Sequence, residues 1–106
     1  MMASNRVEVL RSMLAQDPKN SFARYGLAME HVKAGELEEA VAAFRELIAA
    51  DPNYAAAYFH GGQTFEKLGR LDDARRMYEA GIEVTSRTGD AHTRGELQGA
   101  LDLLPI

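Results

Sequence analysis

The sequence predicts an all-α chain, a right-handed solenoid of about six helices arranged as helix-turn-helix pairs. Three observations predict it. The phrase Gly35-Glu36-Leu37-Glu38-Glu39-Ala40 returns 34 residues later as Gly69-Arg70-Leu71-Asp72-Asp73-Ala74. Asp17-Pro18 returns at the same spacing as Asp51-Pro52. Between these marks the apolar residues recur at helical intervals. Each glycine follows a helix-compatible run, where a left-handed residue closes a helix without a Cβ penalty, and each acidic pair suits the positive end of the helix that follows. A fixed period of this length is the mark of stacked supersecondary units.

The first helix is expected from Ser4 to Gln16, where Val7, Leu10, Met13 and Leu14 share a face. It stops at Asp17-Pro18, because the residue before a proline is pushed out of the helical region. The second runs from Ser21 to about Ala34 and the third from about Leu37 to Ala50, ending at Asp51-Pro52 as the first did at its own proline. The fourth is expected over about Tyr54 to Leu68 and the fifth from Leu71 to roughly Thr85. Ser86-Arg87-Thr88-Gly89 then reads as loop and cap, with a sixth helix from about Asp90 to Leu104 before Pro105. Gly95 and Gly99 each weaken that last helix by about 1 kcal/mol relative to alanine, so its end is expected to fray.

At 106 residues the chain is one domain, and its 46% apolar and 26% charged residues are ordinary globular usage. The divisions are an amino-terminal half repeat over 4–18, repeats over 21–54 and 55–88, and a capping helix with tail over 89–106. A net charge of −4 without a basic cluster argues against binding to nucleic acid. The absence of cysteine excludes disulfides and zinc-thiolate sites and fits a reducing cytoplasm. No long apolar run is present, so no membrane insertion is expected and the reading is a soluble, unexported protein.

This pattern resembles the tetratricopeptide repeat. The residues that carry the likeness are Leu27, Ala28, Gly35, Leu37, Ala40, Phe44 and Pro52 in the first full unit, and Tyr58, Gly62, Phe65, Gly69, Leu71, Ala74 and Tyr78 in the second. Four positions depart from it: Arg24 and His31 replace aromatics, Gly61 a leucine and Ser86 the closing proline. Small Ala40 and Ala74 let paired helices approach, and Phe44 and Tyr78 one turn later fill the space so opened.

The resemblance implies a groove that receives peptides or helices of partner proteins, lined by one stripe from each even-numbered helix of the stack. On the second helix the stripe is Phe22, Tyr25, Met29, Val32 and Lys33, and on the fourth Ala56, Phe59, Gln63, Glu66 and Lys67. At the same offset the sixth helix supplies Asp90, Thr93, Leu97, Ala100 and Leu101, with Arg94 as a further groove residue. An apolar or amphipathic segment across Tyr25, Met29 and Phe59 is the leading expectation. Packing of Phe22 and Tyr25 under the first helix, and a tail Leu103-Leu104-Pro105-Ile106 folded over the groove, are the bland alternatives. The family's clamp for chaperone tails needs lysine and asparagine where Tyr25, Met29, His60 and Asp90 stand, and only Arg94 agrees with it.

The alternative function is self-association, in which Leu97, Leu101 and Leu104 of the last helix pack on Val7 and Leu10 of another copy's first helix, head to tail or symmetrically. No enzyme, metal or cofactor is expected. His31, His60 and His92 lack metal-ligand spacing, and the pairs Glu38-Glu39 and Asp72-Asp73 lie at exposed helix starts without an apolar pocket to separate their acidities.

Overall fold

The structure, a computed structural model, describes residues 2–105, side chains of residues 2–4 excepted. It contains helices α1 (Met2–Gln16), α2 (Ser21–Lys33), α3 (Leu37–Ala50), α4 (Ala55–Lys67), α5 (Leu71–Thr88) and α6 (Ala91–Leu103). No strand occurs among the described residues. Each helix packs on its neighbour in the chain, and α4 also packs on α6. The result is a right-handed stack of helical hairpins, with α2, α4 and α6 forming one layer and α1, α3 and α5 the other.

The turns follow from the glycines. Gly35 and Gly69 adopt φ of 78° and 75°. Behind them the N–H of Glu36 donates to the His31 carbonyl and the N–H of Arg70 to the Phe65 carbonyl, each at 2.9 Å, which closes the helix ends by the same two-bond device. At the start of α2 the Asn20 Oδ1 accepts the N–H of Ala23 at 3.0 Å, and at the start of α6 the Asp90 Oδ1 accepts that of Thr93 at 3.0 Å.

The core is two clusters joined by Ile48, which packs against both. The first holds Ala28, Ala40, Phe44, Leu47 and Ala57; the second is built on Val41, Tyr58, Phe65, Ala74, Tyr78, Val84, Leu97 and Leu104. Ala40 and Ala74 are fully buried beside the fully buried Phe44 and Tyr78, the small-then-large pairing that the sequence pattern implies.

One expectation fails in a way that matters for the site. Residues Ser86, Arg87 and Thr88 are helical rather than a loop, and α5 ends only at Gly89, with φ 80°. Proline ends α3 by fixing the backbone at Pro52, whereas nothing in Ser86-Arg87-Thr88 opposes another helical turn. The first residue before α6 is therefore Asp90, 36 residues after Tyr54, whereas Tyr54 follows Asn20 by 34. The sixth helix is shifted by two positions relative to the exact repeat.

Candidate functional site

The shift re-aims α6. Counted from the helix starts, Gly95 stands where α4 has Phe59, Gly99 where it has Gln63, and Leu97 where it has Gly61. Leu97 thus turns inward, fully buried, against Gly81 of α5, where a β-carbon would lie 2.9 Å from its Cδ1. The glycines turn outward. Between α4 and α6 opens a groove of about 410 Å³, lined by Phe59, Gln63 and Glu66 on one side and Gly95, Glu96, Gly99, Ala100 and Leu103 on the other.

Of the expected groove residues, Phe59 and Gln63 line this space and Arg94 does not. Arg94 is exposed on another side of α6, a correction that follows from the two-residue shift. The stripe Asp90, Thr93, Leu97, Ala100 and Leu101 is corrected likewise: only Ala100 reaches the groove. On α2, Tyr25, Met29 and Val32 are half-buried against the first core cluster, while Phe22 is 60% exposed. The Tyr25 ring meets Tyr54 at 5.4 Å and His60 at 5.8 Å between centroids, so part of its surface is spent on packing.

The proposed self-association stripe is largely internal. Leu10, Leu97 and Leu104 are buried within the chain, and Leu101 packs on the second cluster. Leu10 lies against α2, its Cδ2 2.9 Å from where a Gly26 β-carbon would stand. Val7 is half-buried in a small cavity with Leu27 and His31. The outward residues of α6 include Arg94, Gln98 and Asp102, so that face of α6 is polar. Of the tail, Leu104 joins the core, Leu103 is 85% exposed at the groove's edge, and Ile106 lies outside the described residues.

The groove is acidic as well as apolar. The Tyr78 hydroxyl donates to the Glu66 carboxylate. Burial first, then that carboxylate, hold the Tyr78 phenol far above its ordinary pKa, so it remains a donor. Among the described residues Glu66 pairs with no cation, and Glu96 meets only the His92 Nε2 at 3.8 Å. His60, packed edge-on to Phe59 at 5.2 Å, has its pKa lowered mainly by burial, with Lys67 pushing the same way and Glu96 opposing.

No cluster of three potential metal-binding side chains occurs among the described residues. None of their helices is long and apolar enough to cross a membrane. The acidic pairs sit in the first turns of α3 and α5, where Asp73 is taken up by Arg70 at 2.9 Å and Arg76 at 3.3 Å.

Comparison with known proteins agrees with this fold. No curated protein matches the chain. The solution structure of a tetratricopeptide repeat domain protein from Salinibacter ruber is 42% identical, covering 84% of this chain and 90% of its own, with a TM-score of 0.79. A protein from Bordetella parapertussis is 30% identical over 92% of this chain and 85% of its own, with a TM-score of 0.80. The TPR2B domain of yeast Sti1, in a complex with pHsp70, has the same fold at 18% identity, with a TM-score of 0.86 over 93% of this chain and 79% of its own. A family model described as tetratricopeptide repeat matches residues 25–87. Glycine-closed hairpins, small-to-large helix pairing and these matches together place the chain in the tetratricopeptide-repeat family.

Proposed function

We propose that the chain is a non-catalytic protein-interaction module that binds an apolar or amphipathic segment of a partner in the groove between α4 and α6, extending toward Tyr25 and Met29. The observation that carries this reading is the pair of outward glycines. A β-carbon on Gly95 or Gly99 would meet nothing within 4 Å, so a backbone can approach α6 closely between the apolar walls of Phe59 and Leu103. Tetratricopeptide repeats are in general interaction modules, and the yeast domain of the same fold is in a complex with pHsp70.

The uncompensated Glu66 and Glu96 favour a segment that brings a lysine or arginine beside its apolar residues. They disfavour an acidic chaperone tail, and Arg94, the single residue that fits the clamp pattern, is absent from the groove lining. Self-association through the terminal helices is the weaker reading, because three of its five residues are used inside the monomer. A cytoplasmic setting fits the lack of cysteine.

The test is affinity capture with the chain as bait, comparing the natural sequence with Phe59→Ala and with Gly99→Trp, which fills the groove from an open position. Partners retained by the natural chain and lost by both variants, at unchanged helical circular dichroism, support the reading. Identical capture by all three contradicts it.

A further inference from the structure

A second hollow opens on the other face of α4, between α3 and α5. It encloses about 290 Å³, with Arg45 and Ile48 from α3, Phe65 from α4, and Asp73, Arg76, Met77 and Ala80 from α5 among its lining. Its origin is in the sequence. Leu27 and Leu97 occupy equivalent places on α2 and α6, whereas α4 has Gly61 there. The Met77 Cε, 3.3 Å from where a Gly61 β-carbon would stand, leans over the missing side chain. A flexible thioether is the side chain best able to part and refill such a gap.

The lining carries two arginines, Arg45 and Arg76, and one carboxylate, Asp73, a net positive charge in a chain whose net charge is −4. Arg45 and Arg70 flank the Phe65 ring, with guanidinium carbons 5.1 Å and 4.9 Å from its centroid. Arg70 is neutralised by Asp73 at 2.9 Å and Glu38 at 3.5 Å, and Arg76 shares the same Asp73 at 3.3 Å. Arg45 has no carboxylate within ion-pair distance among the described residues. Its guanidinium is oriented by the ring beneath it and keeps its donor edge free.

We propose that this hollow is a second docking site, distinct from the α4–α6 groove, for a partner segment that carries an aspartate or glutamate beside a leucine or phenylalanine. The apolar side chain enters between Ile48, Met77 and Ala80. The carboxylate takes the free edge of Arg45, the lining arginine that no carboxylate among the described residues neutralises, while Asp73 holds Arg76. The two sites select opposite charges, so one module can hold two different segments at once.

The experiment is an amide NMR titration of the full chain with a pool of capped octapeptides built from Leu, Phe, Asp, Glu and Ser, and with a matching pool carrying Lys in place of the acids. The acidic pool is expected to shift the amides of Arg45, Ile48, Met77 and Ala80. Arg45→Gln is expected to weaken that binding about tenfold, as loss of a charge-assisted hydrogen bond does. Phe59→Ala, in the other groove, is expected to leave it unchanged. No shift with the acidic pool, equal shifts with the lysine pool, shifts confined to the α4–α6 groove, or no effect of Arg45→Gln overturns the proposal.

Discussion

The ring of Tyr78 on α5 lies directly on the backbone of Gly62 on α4, so close that a β-carbon at position 62 would stand 2.2 Å from the ring's Cε1. The fully buried ring cannot move without disturbing the second core cluster. Gly62→Ala is therefore expected to destabilise the chain by roughly 1–3 kcal/mol through overpacking, read as a fall in the thermal midpoint. Shrinking the ring in a Gly62→Ala, Tyr78→Leu double variant is expected to cost less than the sum of the single changes. An unchanged midpoint for Gly62→Ala contradicts the close approach.

The same substitution has the opposite sign on α6. Gly99 faces open space in the groove, so an added methyl strains nothing and removes the conformational freedom that glycine costs a helix. Gly99→Ala is expected to raise stability by about 1 kcal/mol, measured by urea unfolding. A loss of stability places residue 99 against the core and refutes the two-residue shift of α6.

Arg24 and Tyr58 occupy equivalent places on α2 and α4 and do the same work with different chemistry. The Arg24 guanidinium donates to the Pro18 carbonyl at 2.9 and 3.1 Å, and the Tyr58 hydroxyl donates to the Pro52 carbonyl at 2.7 Å. Each bond ties a helix to the proline turn before it. Arg24→Leu and Tyr58→Phe are each expected to cost about 1 kcal/mol in thermal melts. A neutral result for Arg24→Leu means that the arginine does not replace the aromatic's role.

His60 makes stability depend on pH. Burial, assisted by Lys67, disfavours the charged ring, so the folded chain releases its proton at a pH below the 6.5 of the free side chain. Between those two values the unfolded chain binds more protons. Stability is therefore full above about pH 7 and falls as the pH drops through 6.5 toward the folded value. Melting midpoints between pH 7.5 and 5 are expected to show this fall, and His60→Gln is expected to flatten the part that it causes. An identical slope in the variant assigns the dependence to other groups.

Most of the fold can be read from residues that enforce local geometry. Gly35 and Gly69 take the left-handed backbone that their place in the repeat requires, Pro18 and Pro52 follow α1 and α3 closely, and Ala40 and Ala74 are buried beside the rings they admit. The register of α6 was hidden because it hangs on a residue that does not enforce anything. Ser86 in place of proline permits either a loop or another turn of helix, and the α5 register that buries Val84 and Thr85 carries on to Gly89.

The site inherits that ambiguity. Phe59 and Gln63 lie in an exact repeat and line the α4–α6 groove, whereas Arg94 and Leu97 lie beyond the slip, Arg94 outside that lining and Leu97 in the core. The stripe of Leu97, Leu101 and Leu104 shows a second limit. Periodicity identifies an apolar face, and only packing shows that the chain covers that face itself. The α3–α5 hollow had one legible sign, the glycine at position 61, but the free arginine in its lining depends on which arginines find carboxylates in space.

Entry of partners on the α4–α6 side of the stack can be tested by placing a photo-reactive phenylalanine analogue at Gln63, on the groove, or at Arg94, on the outer side of α6, and irradiating each variant in its native extract. A discrete partner is expected to cross-link from position 63 and not from position 94. Cross-links from position 94 with none from position 63 contradict it.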